Sequence, residues 1–349
     1  FGDQGVYVDE FLISLDKNYF VPKSRLKELK RQVEPGLADG ARDVSLRHVE
    51  LALENTAAVG KSLAPENRPA FTFKIDRVDY LPWIRELAAE GLVTDVVFEP
   101  KKMFLPDVKP ESFLIPLAEF KKETGINIRL AMPTVIRAWD EPVLKVWLSA
   151  ALAAGFGSYE VGNPGALGLL KEWGLPTTDV TSDFTLYAMN REAVSFWQGQ
   201  GVKKVALSIE DDAEDWESLL SHWPESGAPL AILYKDTPLF VAEACSLTAL
   251  HNGCPSNKIC GYRTLEIENK KGERFFVAHE GCKSIVYGKK AYSISVEHKR
   301  LMQAGVREFR LDFLTRDYDE VTFKETARLV MADSPVPGTH VANFAGRLK

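Results

Sequence analysis

From Arg68 onward the hydrophobic positions change period repeatedly along the chain. A short β-rich run gives way each time to a segment with apolar residues three and four apart, the pattern of a strand followed by an amphipathic helix. Strands are expected over 71–78, 94–99, 126–132, 158–161, 178–184, 204–209, 230–234 and 307–313. The helices between them are marked first by Leu81, Ile84 and Ala88, then by Phe113, Leu117 and Phe120, then by Val143, Trp147, Ala150 and Ala154. Asn163-Pro164-Gly165 turns into a short helix, and Ala193 with Trp197, Trp216 with Leu219, Leu220 and Trp223, residues 296–304, and Phe323 with Ala327 and Val330 mark the rest. Eight β/α units over residues 67–333 predict an α/β chain folded as a (β/α)8 TIM-like barrel. A doubly wound open sheet is the competing architecture. It would use fewer strands and often carry a glycine-rich phosphate turn, and Gly155-Phe156-Gly157 with Gly162 lacks the GxGxxG spacing.

Three segments stand outside this alternation. Residues 245–294 form a lobe inserted after strand seven, which itself has a second segment reaching Ala244. Inside the lobe, 262–267, 274–277 and 283–286 alternate like short strands, with Lys270-Lys271-Gly272 as a turn. Loops that follow barrel strands build the active face, so the lobe is expected at the mouth of that face. Residues 1–66 read as an N-terminal extension packed on the barrel or linking it to something upstream, with short strands at Tyr7-Val8 and 12–15 and helices over 22–33, with Ser24 as cap, and 45–56. Phe1 rather than Met stands first, so a missing upstream domain or partner subunit is expected. The tail, 334–349, is Pro/Gly-rich and expected to be irregular.

The four cysteines of the 349-residue chain, Cys245, Cys254, Cys260 and Cys282, all fall in the lobe. Such clustering implies that they act together, as two disulfides, a structural zinc site, or an iron–sulfur cluster held by four thiolates. Disulfide frameworks serve small secreted domains with too little core, whereas this chain is 45% hydrophobic and shows no secretory signal. A cytoplasmic location follows from that reading, and no apolar run is long enough for a membrane span. Zinc favours short C-x2-4-C knuckles, which the C-x8-C-x5-C-x21-C spacing lacks. Scattered ligands suit a cubane, in which each thiolate binds its own iron. His251 and His279 lie near enough in sequence to serve either metal, but the reading as ordinary loop or strand histidines is the favoured one.

A formal net charge of −6 argues against a general nucleic-acid coat. Between His251 and Lys290, however, eight Lys/Arg stand against four Glu, which reads as a solvated basic face or as a lobe facing an anion or RNA. Polar residues on the expected strands supply candidates for a substrate site: Lys74, Asp76, Glu99, Arg129, Glu160 with Asn163, Asp183, Ser208 with Glu210, and Arg310 with Asp312. Charges facing a barrel interior are costly unless paired, so they signal either a site or interior ion pairing, for example Arg310 with Asp183. The substrate-binding set is Arg129, Asp183, Glu210, Arg310 and Asp312. Arg129 and Arg310 are the expected anchors for a carboxylate, because a guanidinium binds one bidentately. The catalytic residues are not legible. There is no HExxH, no GxSxG elbow, and no isolated cysteine nucleophile.

The run Pro238-Leu239-Phe240-Val241-Ala242-Glu243-Ala244-Cys245, then Cys254, Cys260, residues 269–276, Cys282 and Ile285-Val286-Tyr287, resembles the cysteine region of the peptidase U-32 (collagenase-like) family. Gly162-Asn163-Pro164-Gly165, residues 182–190, Ala206–Glu210 and 309–313 are similar to further family segments in the same order, and residues 20–30 to the segment preceding the barrel in long members. The family's Glu-x-Phe-x-x-Gly signature is absent, and Ala244-Cys245-Ser246 replaces its Tyr-Cys-Pro. The resemblance implies a barrel whose four cysteines hold a four-iron–four-sulfur cluster, as in members that hydroxylate RNA bases or the ubiquinone ring without dioxygen. An oxygen-independent hydroxylase acting on RNA bases or on an aromatic or carboxylate small molecule is therefore expected. A peptidase, as the family name implies, and a non-catalytic metal-stabilised barrel of a larger protein are the alternatives.

Overall fold

The computed structural model describes residues 68–346 with the exception of residue 225. The extension expected over 1–66, with its short strands and two helices, lies outside the described residues, as does the end of the tail.

The alternation resolves into β1 (Ala70–Ile75), α1 (Leu81–Ala88), β2 (Val93–Phe98), α2 (Glu111–Thr124), β3 (Asn127–Ala131), α3 (Glu141–Ala153), β4 (Ser158–Val161), α4 (Pro164–Glu172), β5 (Val180–Ser182), α5 (Arg191–Gly199), β6 (Val202–Ala206), α6 (Ala213–Ser221) and β7 (Ala228–Lys235). Helix starts are fixed locally. The side chains of Asn163, Asn190 and Asp212 each accept a backbone N–H of the first turn of α4, α5 and α6, satisfying donors that have no intrahelical partner.

After β7 the chain leaves the barrel as a lobe: β8 (Pro238–Ala242), α7 (Ser246–His251), α8 (Asn257–Cys260), β9 (Leu265–Glu268), β10 (Arg274–Glu280) and β11 (Lys283–Gly288). These strands make a separate four-stranded antiparallel sheet in the order β8-β11-β10-β9. The expected second segment of strand seven is therefore β8, which belongs to the lobe sheet and not to the barrel. The chain returns through β12 (Tyr292–Ser293), an antiparallel addition to β7, then α9 (His298–Gln303), β13 (Glu308–Phe313) and α10 (Glu320–Met331). β13 pairs in parallel with both β7 and β1, and β6 pairs with β7, so β1 to β7 and β13 close into an eight-stranded parallel barrel. The doubly wound alternative is thereby excluded. Residues 332–346 hold no further helix or strand beyond an isolated bridge between Tyr292 and His340.

Alternation along the strands divides two environments. Phe71, Phe73 and Ile75 of β1 and Phe309, Leu311 and Phe313 of β13 are fully buried beneath the helices. Phe323 of α10 packs its ring 6.0 Å from Phe73 and 4.0 Å from Phe313, and each such side chain contributes about 1.5–3 kcal/mol by leaving water. The intervening residues, Thr72 and Lys74 in β1 and Arg310 and Asp312 in β13, point into the barrel and are just as buried. The interior of this barrel is therefore largely ionic where branched aliphatic layers are the usual filling.

Candidate functional site

The interior charges form two separate layers. At the C-terminal end of the strands, Lys74 Nζ lies 2.9 Å from Glu99, 2.7 Å from Glu160 and 2.8 Å from Asp183. Arg310 donates from Nη1 to Glu160 at 2.6 Å, from Nη2 to Asp183 at 2.6 Å, and to both oxygens of Asp312 at 2.7 and 3.0 Å. Burial alone would raise the Asp183 carboxyl, but Arg310 and Lys74 overcome it and hold the group well below the usual carboxylate range. Glu99 is drawn down to about 2 in the same way, against burial, by Lys74 and Lys101. Lys235, at the end of β7, receives less. Its Nζ lies 3.4 Å from Asp312, whose oxygens Arg310 already engages, and 4.0 Å over the Phe184 ring. Burial pushes its ammonium below the ordinary lysine value, and Asp312 and Asp183 only partly offset this.

Above this layer lies a cavity of about 490 Å³. Its floor is Lys74, Glu99, Asp183, Lys235 and Asp312; its roof comes from the lobe, with Leu239, Phe240 and Val241 of β8, Glu280 of β10 and Lys283, Ile285 and Tyr287 of β11. Leu239, Phe240 and Val241 are about half exposed, an apolar run along the edge of the lobe sheet. Arg137, in the loop between β3 and α3, fastens the lobe to the barrel: it donates to the Gly281 carbonyl at 2.5 Å and pairs with Glu243 at 2.6 Å. Thr315, after β13, holds φ 71°, an uncommon left-handed conformation for a β-branched residue, and accepts from Lys101 at 2.7 Å at the cavity wall.

The four cysteines are free thiols on four separate stretches of the lobe: Cys245 ahead of α7, Cys254 between α7 and α8, Cys260 ending α8, and Cys282 between β10 and β11. Glu280 pairs with Lys283 across a two-residue turn in which Gly281 and Cys282 both have positive φ, 52° and 63°. This is the geometry of a primed hairpin turn, which favours Gly or Asn over a residue such as Cys. Cys282 thus occupies the tip of the hairpin despite a conformational cost of about 1 kcal/mol. The Cys260 thiol is pushed up by burial and further by the charges of Cys245, Cys282 and Cys254, so each of the other three lies within electrostatic reach of Cys260. Tyr262 hydrogen-bonds Cys282, and its phenol is pushed up by burial and by that thiol. Four unpaired thiols fit an iron–sulfur cluster in kind and number. Among the described residues, no group of three or more His, Cys, Asp or Glu side chains stands in an arrangement that could already hold a metal ion.

A serine–histidine pair ties these stretches together. His279 Nε2 lies 2.7 Å from Ser246 Oγ, and its Nδ1 lies 2.8 Å from the Arg263 carbonyl. The carbonyl can only accept, which puts the ring proton on Nδ1 and leaves Nε2 to accept from Ser246. One buried imidazole on β10 thereby links the residue after Cys245 to the loop after Cys260.

No protein-family model matches the sequence, and no curated protein sequence matches it. Solved structures similar to this chain include the U32 peptidase Mk0906, covering 51% of this chain and 74% of that one at 12% identity and a TM-score of 0.38. The thiamine phosphate pyrophosphorylase from Pyrococcus furiosus covers 76% and 98% at 9% identity and a TM-score of 0.39. The dihydropteroate synthase of Yersinia pestis covers 76% and 92% at 12% identity and a TM-score of 0.34. Likenesses this distant carry no argument about family or activity.

Of the residues expected to bind substrate, Asp183, Asp312 and Glu210 line the mouth cavity, Glu210 accepting from Tyr187 at 3.2 Å. Arg129 does not join them. It lies in the second ionic layer, towards the N-terminal end of the strands, where it donates to the Asp179 carboxylate at 3.1 and 3.3 Å, to Asp95 at 3.4 Å and to the carbonyls of Tyr159 and Asp179. Asp95 there also accepts from Lys204, which pairs with Glu308. The expectation that Arg129 and Arg310 project together into the mouth is corrected: Arg129 is the third residue of β3 and faces the lower end. Arg310 is fully buried with all its partners supplied, beneath the cavity floor, so it has no free face to offer a carboxylate. Lys235, Glu280 and Lys283 escaped the sequence reading. For Lys235 the signal was present, a lysine closing an otherwise apolar strand; Glu280 and Lys283 become site residues only because the lobe folds back over the barrel.

Proposed function

We propose that this chain is an iron–sulfur barrel protein of U-32 type, with Cys245, Cys254, Cys260 and Cys282 as cluster ligands, acting on a small aromatic molecule in the mouth cavity by oxygen-independent hydroxylation. The observation that carries the proposal is the gathering of four free thiols, from four stretches of backbone, in the lobe that roofs the cavity. The cavity volume lies in the range of small-molecule sites. When bound, the cluster supplies one-electron redox chemistry. The chain's own side chains bind and orient. Phe240, Ile285 and Phe184 offer apolar and aromatic surface to a ring, while Lys235, Lys283 and Glu210 offer polar contacts at its edge. The ionic floor, held by Lys74 and Arg310, keeps Asp183 charged and engages both oxygens of Asp312, a preorganised field for charge that develops above it.

The test is metal analysis of protein purified without oxygen. About four irons and about four sulfides per chain are expected, with a visible absorption band that bleaches in air, and Cys282→Ser should lose most of the iron while remaining folded. A colourless anaerobic preparation, or one zinc per chain, overturns the proposal. A hydrolytic reading built on the Ser246–His279 pair lacks the usual acidic partner. The imidazole N–H is spent on the Arg263 carbonyl, so the carboxylate that would stabilise an imidazolium is replaced there by a neutral acceptor.

A further inference from the structure

Four lysines line the mouth cavity, and they are not equivalent; Lys283, in the roof, donates to the Val135 carbonyl at 3.4 Å. Lys74 is held by three carboxylates within 2.9 Å. Lys101 donates to Thr315 at 2.7 Å and lies 3.6 and 3.8 Å from Glu99 and Asp76. Lys235 has one carboxylate, Asp312 at 3.4 Å, and that group is already bound by two nitrogens of Arg310. Burial and the nearby cations Arg310 and Lys74 disfavour a charge there: it is 5% exposed, and beyond Asp312 it has only the face of the Phe184 ring, a weak cation partner 4.0 Å away, and the charge of Asp183 to set against them. A desolvated lysine beside other cations is the setting in which an amine loses its proton and becomes a nucleophile.

We infer that Lys235 is a nucleophilic amine of the mouth cavity and binds a carbonyl compound, an aldehyde or ketone carried on an apolar or aromatic body, as an imine. In that step the neutral amine nitrogen attacks the carbonyl carbon, the C=N bond replaces C=O, and the oxygen leaves as water with the two amine hydrogens. Leu239, Phe240 and Ile285 of the roof would cover the body of such a compound. The inference rests on the mouth being the ligand site but makes no use of the cysteines, and its experiment can be read on iron-free protein.

Benzaldehyde with cyanoborohydride at pH 7.5, followed by mass mapping of the labelled peptides, is the experiment. Lys235 should be benzylated first, several-fold faster than Lys74, Lys101 or Lys283 in the same cavity and than the exposed Lys270 and Lys271. Lys235→Arg, which removes the primary amine, should abolish this fast label and leave the slow surface labelling unchanged. Labelling of Lys235 no faster than that of Lys270, in protein whose circular dichroism shows it folded, overturns the inference. So does fast labelling that persists in the Lys235→Arg variant. Iron content measured on the same preparation separates this result from the cluster proposal, since either can fail while the other stands.

Discussion

The two ionic layers of the barrel use the same residue types and do different work. The lower layer, around Arg129, pairs each charge and adds neutral partners: Asn127 donates to Asp95 at 2.8 Å and Ser158 to Asp179 at 2.6 Å. Among the described residues, none of that layer lines the mouth cavity. The upper layer, around Arg310, is paired at its base and uneven at its top, where Lys235 is under-compensated and the floor opens to 490 Å³ of space. Interior charge therefore does not by itself mark a site. What marks it is incomplete pairing next to a cavity, because a complete network has nothing left to give a ligand.

The sharpest way to break this contrast is Arg310→Ala. It would strand Glu160, Asp183 and Asp312 without their shared cation in a fully buried position, at a cost of about 3–5 kcal/mol. Denaturant titration should register a loss of that size; a protein that keeps its stability but loses ligand binding would instead return Arg310 to the substrate role. Arg129→Ala should cost less, about 2 kcal/mol, since the side chain of Asp179 is 35% exposed and can turn to water. The same variant should leave benzaldehyde labelling of Lys235 unchanged, and a change there would mean that the layers are coupled.

A smaller effect separates both layers from a buried group with no compensation. His298, packed between the rings of Phe71 and Phe309, has no hydrogen-bond partner for either ring nitrogen among the described residues. Burial lowers its pKa below the ordinary 6.5. With fewer protons bound folded than unfolded, it contributes stability above pH 6.5 that is lost as pH falls through that value towards the folded pKa. His298→Leu should therefore flatten the fall in stability below pH 6.5 and raise stability at pH 7 by about 1 kcal/mol. Parallel pH–stability curves for the two proteins would show that His298 is not the group responsible.

How much was legible depends on the range of the interactions involved. The eight strands and their order were readable because strand and helix periodicities are local, set by which face each side chain buries. The strand over 158–161 falls where the pattern puts it, whereas that expected over 178–184 shortens to Val180–Ser182. There Asp183 turns its carboxylate to the Phe184 N–H and starts a 3-10 turn, ending the ladder. The clustering of the cysteines was readable for the simpler reason that they are close in sequence.

Pairing among charges was not readable. Lys74 meets Asp183 across 109 positions and Arg310 meets Glu160 across 150, and no local pattern records which of several inward charges face one another. Whether Arg129 or Lys235 reached the mouth depended on height along a strand: the third residue of β3 points to the lower layer, and the last residue of β7 stands at the rim. The sequence alone determined that this chain would close a barrel and carry a four-cysteine lobe, because burial periodicity and cysteine spacing are properties of neighbouring residues. The tertiary structure alone decided which charges are spent on each other and which remain for a ligand, because electrostatic compensation depends on distance in space.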